Sequence, residues 1–168
     1  PTPDFPGTSF GQGKNVPAIA MAHGIPYVAT ATVADLHDLE RKVRYAMSFH
    51  GARYIHILVP CPLGWGAPSA KTIELARLAH ETGLFPVFEA EYGEVTNVSK
   101  IRRKQPVEKY LMLQKRFAHL FGKKGNPEIV QRMQALADRN IARYGLLGNE
   151  QGDDIPVPEQ AEERHHVI

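Results

Sequence analysis

The single cysteine of the chain is the residue best placed to do chemistry. Cys61 lies in the stretch IHILVPCPLGWGAPS, directly after an aliphatic run that predicts a β-strand. Ligands of open α/β sheets gather outside the carboxyl ends of strands, which is where this residue falls. Pro60 and Pro62 stiffen the loop, while Gly64 and Gly66 let main chain approach a ligand closely. The pattern predicts a functional loop.

Three roles are open to Cys61 on the residues alone. A lone cysteine is usually a small buried hydrophobe. A nucleophilic thiol needs a base within reach, and neither His50 nor His56 is obviously placed to serve. His56 alternates with Ile55 and Ile57, a pattern that favours a hydrogen-bonded core histidine. The third role is a metal ligand, since Cys-Pro closes the common ferredoxin cluster motif.

Several other residues carry weaker signals. Trp65 either packs the loop or walls a cofactor. Glu89, Glu91 and Glu94 form an acidic group at the end of the third predicted strand, which suits a metal or an oxygen-rich ligand or, more commonly, a solvated edge. The basic run SKIRRK at 99–104 is a solvated surface or steers an acidic electron carrier. The paired histidines near the carboxyl end carry little weight as metal ligands.

Composition narrows the class of protein. The 168 residues are 43% hydrophobic and 23% charged, which is typical of one soluble domain. The net charge of +2 gives no footprint for nucleic acid or an anionic membrane. No apolar run approaches the roughly 20 residues that span a bilayer, the first residues lack the order of a signal peptide, and one cysteine makes no internal disulfide. We therefore expect a cytoplasmic protein that binds neither nucleic acid nor membrane.

Strands and helices alternate over the first part of the chain. The periodicity predicts helices near 16–24, 35–51 and 69–83, with strands near 25–32, 54–59 and 85–93. This order predicts the α/β class with a mostly parallel sheet, its second strand covered on both faces and its third at an edge because Pro86 cannot donate to a ladder. Helices are expected again at 107–121 and 127–144. The predicted organisation is an α/β region at 1–95, a helical extension at 96–146 that packs on the domain or on partner subunits, and an extended or disordered tail at 147–168.

Four segments carry a family resemblance. HGIPYVATAT, VPCPLGWG, TIELARLAHETGLFPVFEAEYGE and KQPVEKYLMLQKRFAHL occur in this order. They resemble the carboxyl-terminal half of the β subunit of the thiamine-diphosphate-dependent 2-oxoacid:ferredoxin oxidoreductases, and the pyruvate:ferredoxin oxidoreductase (pyruvate synthase) type most. The resemblance runs from about Val16 to Leu120. It implies half of a thiamine-diphosphate-binding fold, a parallel sheet with flanking helices.

The resemblance also implies cofactors and a reaction. Such enzymes use thiamine diphosphate, Mg²⁺ and a [4Fe–4S] cluster to decarboxylate a 2-oxoacid, pass electrons to ferredoxin and give the acyl group to coenzyme A. Cys61 falls in the motif that supplies the fourth cluster ligand. Pro60, Pro62, Gly64, Trp65 and Gly66 would shape its loop.

The sequence departs from the family in two respects. It lacks the Gly-Asp-Gly motif for magnesium and diphosphate, which the segment at 152–154 does not replace, and it lacks the other three cluster cysteines. We therefore expect the second half of a domain, active only with the missing amino-terminal half and partner subunits. Two other hypotheses remain: a non-catalytic structural or assembly module in which Cys61 is merely packed, and a free-standing thiol enzyme.

Overall fold

The structure, a computed structural model, describes residues 13–123 and 125–148. Residues 149–168 of the tail predicted at 147–168, which include the paired histidines, lie outside the described residues. The elements are α1 (Val16–Ala22), β1 (Tyr27–Thr32), α2 (Leu36–Ala46), β2 (Arg53–Leu58), α3 (Pro62–Trp65), α4 (Thr72–Glu81), β3 (Phe88–Glu91), β4 (Glu94–Val98), α5 (Val107–Met112) and α6 (Pro127–Tyr144), with 3₁₀ segments at Ser69–Lys71 and Lys115–Leu120.

Local sequence signals fix where the main helices begin. Asp35 caps α2, since its carboxylate accepts the Asp38 N–H at 3.0 Å. Asn126 caps α6 in the same way, and Pro127 occupies the first helical position, where no N–H is needed. The predicted helix at 107–121 is instead divided, because α5 ends at Met112 and a 3₁₀ segment follows.

The sheet has the order β2-β1-β3-β4 and is mixed. β1 and β2 are parallel, whereas β3 is antiparallel to both β1 and β4. The α/β class is confirmed, but the prediction of a mostly parallel sheet is wrong, since only β1 and β2 are parallel. The chain enters β3 at the carboxyl end of β1, where Thr30 Oγ1 donates to Pro86 O at 2.7 Å and accepts the Phe88 N–H at 2.9 Å. The direction of β3 follows from that entry.

A hairpin that the sequence analysis missed adds β4. Tyr92 and Gly93, the two residues between β3 and β4, have φ values of 49° and 90°. Two positive φ angles define the tight turn that best matches the twist of paired strands. β3 is therefore an internal strand rather than the predicted edge, and Pro86 causes no conflict because the strand begins two residues later.

The two faces of the sheet carry separate cores. On one face, Ala20, Val28, Phe88 and Ala90 are buried, and the Phe88 ring stacks on Tyr144 of α6 with centroids 4.8 Å apart. The other face buries Tyr27, Ala29 and Ala46, with Phe49 and Ile55 packed against them. Helices thus cover both faces of β1 and β3.

A third core consists of helices alone. Its buried side chains come from α4, α5, the second 3₁₀ segment and α6: Leu75, Leu78, Ala79, Val107, Tyr110, Leu111, Phe117, Leu120 and Ala137. Leu58 at the end of β2 and Trp65 pack against it. The turn that carries Cys61 therefore rests on this helical core. Among the described residues, no helix is long and apolar enough to cross a bilayer.

Helix α2 turns its polar side to the sheet. The Lys42 side chain is 1% exposed, and its Nζ donates to Thr30 O at 2.9 Å and to Asp38 Oδ2 at 2.6 Å. These partners satisfy the buried ammonium group. On another side of the helix, Leu36 is 65% and Val43 44% exposed, whereas Ala46 is buried.

Candidate functional site

Cys61 begins the turn that follows β2. It has extended backbone angles and caps α3, whose first residue is Pro62. The Cys61 side chain is exposed, and its Sγ accepts the Gly64 N–H at 3.3 Å. The interpretation of Cys61 as a small buried hydrophobe does not hold for this chain.

Backbone contacts define the shape of the turn. The Trp65 N–H donates to Cys61 O at 2.9 Å, and Gly66 ends α3 with a φ of 63°. A Cβ atom on Gly66 would lie 2.7 Å from Cβ of Lys115, closer than side chains approach. Pro60, just before the turn, is buried. The turn therefore has one backbone shape, set by its prolines and glycines.

Arg116 packs over the turn from the second 3₁₀ segment. Its guanidinium carbon lies 4.1 Å from the ring centroid of Trp65 and 4.7 Å from that of Phe117. The Arg116 Nε–H donates to Gln114 Oε1 at 2.8 Å. Burial lowers the pKa of Arg116, although a guanidinium stays charged near neutral pH. The sequence analysis missed this residue, whose only local signal was an arginine beside an aromatic in KRFAHL.

His56 has partners of its own. Its Nδ1 lies 3.0 Å from the Tyr54 hydroxyl, within hydrogen-bonding distance, and its ring contacts the edge of Phe85. The prediction of a hydrogen-bonded histidine is confirmed. Within the described residues, the Cys61 sulfur accepts its hydrogen bond from the Gly64 backbone N–H, which cannot act as a general base for a nucleophilic thiol.

The three glutamates of the acidic group do not converge. Glu89 is 3% exposed and accepts hydrogen bonds from the Tyr27 hydroxyl at 2.7 Å, from both Arg41 Nη atoms at 2.6 and 3.1 Å, and from Asn97 at 2.8 Å. Glu94 is exposed. Glu89 is therefore part of a buried ion-pair network, and neither a metal ligand nor a solvated edge.

Two opposing effects act on the Glu89 carboxyl. Burial raises its pKa, but the hydrogen bonds from Arg41, Tyr27 and Asn97 outweigh burial and hold the pKa below its ordinary value of 4.5. Burial and the Glu89 carboxylate together raise the pKa of Tyr27 far above its ordinary value. Both groups are thus fixed in one protonation state near neutral pH.

The basic run at 99–104 is only partly free. Lys100 Nζ donates to Gly145 O at 2.7 Å, and Lys104 pairs with Asp138 at 2.8 Å. Arg102 and Arg103 are exposed. Two of its four cations therefore hold the run onto α6.

The donor set of the described residues supports one cluster ligand and no more. Within residues 13–123 and 125–148, no group of three or more His, Cys, Asp and Glu side chains could hold a metal ion. Cys61 supplies the one thiol of the chain. Its exposed sulfur, with a single amide donor, suits one of the four thiolates of a [4Fe–4S] cluster. The same described residues hold no group of carboxylates that could bind Mg²⁺, the cation that would carry the diphosphate.

No protein-family model matches the chain. It is, however, 50% identical over 133 residues to pyruvate synthase subunit PorB of Methanosarcina barkeri, covering 79% of this chain and 45% of that protein. It is 37% identical over 165 residues to the subunit of the same name from Pyrococcus furiosus, covering 88% and 47%. Ketoisovalerate oxidoreductase subunit VorB of Pyrococcus abyssi is 44% identical over 109 residues, 64% of this chain and 35% of that subunit.

The fold and the turn define an α/β chain that presents one exposed thiol at the end of a parallel strand pair. The sequence similarities to PorB identify the family. It belongs to the family of 2-oxoacid:ferredoxin oxidoreductase β subunits that includes PorB, so the resemblance found in the sequence is confirmed. The chain spans less than half the length of these relatives.

Proposed function

We propose that this chain is a component of a 2-oxoacid:ferredoxin oxidoreductase. The reaction is oxidative decarboxylation of a 2-oxoacid such as pyruvate: the bond to the carboxylate breaks, CO₂ leaves, the acyl group passes to coenzyme A, and two electrons reach ferredoxin. The observation that carries the proposal is the 50% identity to a pyruvate synthase subunit over 79% of the chain. A ketoisovalerate oxidoreductase subunit at 44% identity supports the wider class of 2-oxoacids.

Within such a complex, Cys61 serves as the fourth ligand of a [4Fe–4S] cluster. The turn supports this role because it projects the sulfur to the surface and leaves it with one backbone donor, the Gly64 N–H. When bound, the cluster supplies one-electron transfer. An amide N–H beside a ligating sulfur stabilises the reduced, more negative state and so raises the reduction potential.

The residues around the thiol keep it in place. Trp65 is held between the helical core and the Arg116 guanidinium, and Gly66 closes the turn against Lys115. A ligand fixed before the metal binds needs little reorganisation during electron transfer. Pro60 and Pro62 contribute to the same rigidity.

Other parts of the proposed enzyme lie outside this chain. Thiamine diphosphate and Mg²⁺ would be bound mainly by the missing amino-terminal half, which also supplies three cluster cysteines. Partner subunits, ferredoxin, the 2-oxoacid and coenzyme A complete the system, which we place in the cytoplasm. Residues 1–95 would form part of the cofactor domain, and 96–146 would pack on it or on the partners.

The test compares Cys61→Ser with the wild type in the intact complex, purified without oxygen. Iron and acid-labile sulfide are measured per active site together with the electron paramagnetic resonance spectrum. We expect the variant to lose the iron and the signal of one cluster. Ala70→Ser, an exposed change on the next segment of the chain, is the matched control and should change neither.

Two other results would contradict the role of Cys61 as a cluster ligand. Unchanged iron and spectrum in Cys61→Ser would leave the chain as a structural or assembly module of the complex. Rapid alkylation of Cys61 by iodoacetamide in the iron-loaded complex would instead favour the thiol enzyme, because a sulfur bonded to iron is protected.

A further inference from the structure

β2 is an edge strand of the sheet, and apolar side chains of β2 and α2 form a largely exposed surface at this edge. We name this surface the β2–α2 flank; it comprises Leu36, the half-buried Leu39 and Val43 of α2, Met47 directly after that helix, Ile57 of β2, and Val59. We propose that the flank is the interface for the part of the family's subunit that this chain does not span. That part would add a strand to the free edge of β2 and cover the apolar side of α2.

The orientation of α2 follows from its polar contacts. Lys42 points down to β1, where its Nζ meets Thr30 O. Arg41 and Tyr45 reach sideways to Glu89 and Glu91 on β3. The side of α2 opposite Arg41 and Tyr45 therefore faces β2.

That opposite side is the apolar stripe. At 3.6 residues per turn, Leu36, Leu39, Val43 and Met47 fall on one side of the helix. Met47 Sδ lies 3.8 Å from Arg53 Nη2, which places the stripe above β2. Leu36, Val43 and Met47 are 65%, 44% and 69% exposed. An amphipathic helix normally buries its apolar side, so this one lacks a neighbour within the described residues.

Strand β2 also has exposed apolar side chains and, in addition, an unpaired edge in the described sheet. Ile55 packs against the core that contains Ala46 of α2, and Ile57 points to the same face because it lies two residues further along the strand. Ile57 is 41% and Val59 58% exposed. In the described sheet β2 pairs only with β1, so its outer backbone groups are open to another strand. This finding corrects the prediction of a strand covered on both faces.

The length of the relatives identifies the occupant. The match covers 45% and 47% of two PorB subunits, so more than half of each subunit lies outside it. A strand with alternating apolar side chains, followed by a helix, would pair with β2 and bury the stripe of α2. The proposal rests on membership of the family and not on the cluster role of Cys61.

The test uses the complete complex and a matched pair of variants. Ile57 and Val95 are both β-branched and 41% exposed, and they lie near opposite edges of the sheet, on β2 and β4. We expect Ile57→Asp to lower the yield of assembled complex at least tenfold, and Val95→Asp to change it less than twofold. Equal effects of the two substitutions would overturn the proposal.

A second measurement does not depend on folding of a charged variant. p-Benzoylphenylalanine replaces Val43 or Ile57, the complex is irradiated, and cross-linked peptides are identified by mass spectrometry. Cross-links to family sequence outside these 168 residues support the proposal. Cross-links only to a second copy of this chain, only to its own residues, or none at all would overturn it. Neither readout involves iron, so the result is independent of the Cys61→Ser experiment.

Discussion

At the scale of single residues, the Cys61 turn depends on a glycine that no other residue replaces. Gly66 has a φ of 63°, and an added Cβ would lie 2.7 Å from Cβ of Lys115. Both the backbone angle and the contact penalise a side chain. The position of the Cys61 sulfur is thus set partly by Gly66, which has no side chain.

Gly66→Ala should lower the free energy of unfolding by about 1–2 kcal/mol, the cost of a left-handed backbone in an L-residue. Urea unfolding measures the change. Gly13→Ala is the control, because an added Cβ there meets nothing within 4 Å. A loss of equal size in both variants would show that neither the backbone angle of Gly66 nor its contact with Lys115 is important.

The network around Glu89 makes stability depend on pH. Its pKa is lower in the folded protein than in the unfolded chain, so its contribution is complete above about pH 4.5 and is lost as the pH falls through the lower folded value. Glu89→Gln should therefore cost about 2 kcal/mol at pH 7, in line with a hydrogen bond to a charged group. The difference from the wild type should shrink below pH 4.5.

Urea unfolding of both proteins at pH 7 and pH 4 measures this effect. Glu40→Gln is the control, since Glu40 and Arg44 form an exposed pair in which the side chains are 59% and 79% exposed. Such pairs contribute little, so that variant should change stability by less than about 0.5 kcal/mol. A cost for Glu89→Gln that is the same at both pH values would exclude the ionised network.

At the scale of elements, the second 3₁₀ segment acts as a clamp on the Cys61 turn. Arg116 covers Trp65 at 4.1 Å, and the Lys115 N–H donates to Gly66 O at 3.3 Å. An arginine over a tryptophan contributes about 1 kcal/mol. The turn should therefore loosen when this contact is removed.

Arg116→Met should raise the rate of Cys61 alkylation by iodoacetamide severalfold in the metal-free protein, and it should shift the fluorescence of Trp65, the single tryptophan. Arg139→Met, at an exposed position of α6, is the control and should do neither. If alkylation and fluorescence stay unchanged in Arg116→Met, the backbone alone holds the turn.

Elements with strong local signals were predictable from the sequence. Asn126 and Pro127 mark the start of α6, Gly145 ends it with a φ of 57°, and the predicted range agrees with the structure. β1 and β2 were also found at nearly their observed bounds. β4 was missed because its five residues are mostly exposed and lack the alternation of a half-buried strand, although Tyr92-Gly93 was a turn signal.

Contacts between distant segments were not predictable. The direction of β3 depends on the hydrogen bonds of Thr30 to the segment that enters this strand. The contact of Arg116 with Trp65 joins two segments with no shared sequence pattern. For α2 the periodicity predicts the helix but not which side meets the sheet, since the buried Lys42 network decides that. The loop of Cys61, by contrast, was located from its residues and from the family resemblance.

At the scale of the whole molecule, the end of α6 joins the helices to the sheet. Leu146 is fully buried with Ile101 and Ile141, and Val98 of β4 and Tyr144 pack against this group. Tyr144 also stacks on Phe88 in the core of the sheet. The Ile101 N–H donates to Leu146 O at 2.7 Å, so backbone and side chain hold the same junction.

Leu146→Ala should therefore destabilise the whole chain, by about 3 kcal/mol, because it leaves a cavity between the two parts. The adjacent Leu147 is 41% exposed, and Leu147→Ala should cost much less, so the pair separates burial from local backbone effects. Urea unfolding followed by both far-ultraviolet circular dichroism and Trp65 fluorescence measures the loss. The two signals should move together in Leu146→Ala if the junction couples the sheet to the helical core. Separate transitions would show that the helical region unfolds independently of the sheet. Equal losses in the two variants would show that the burial of Leu146 does not stabilise the junction.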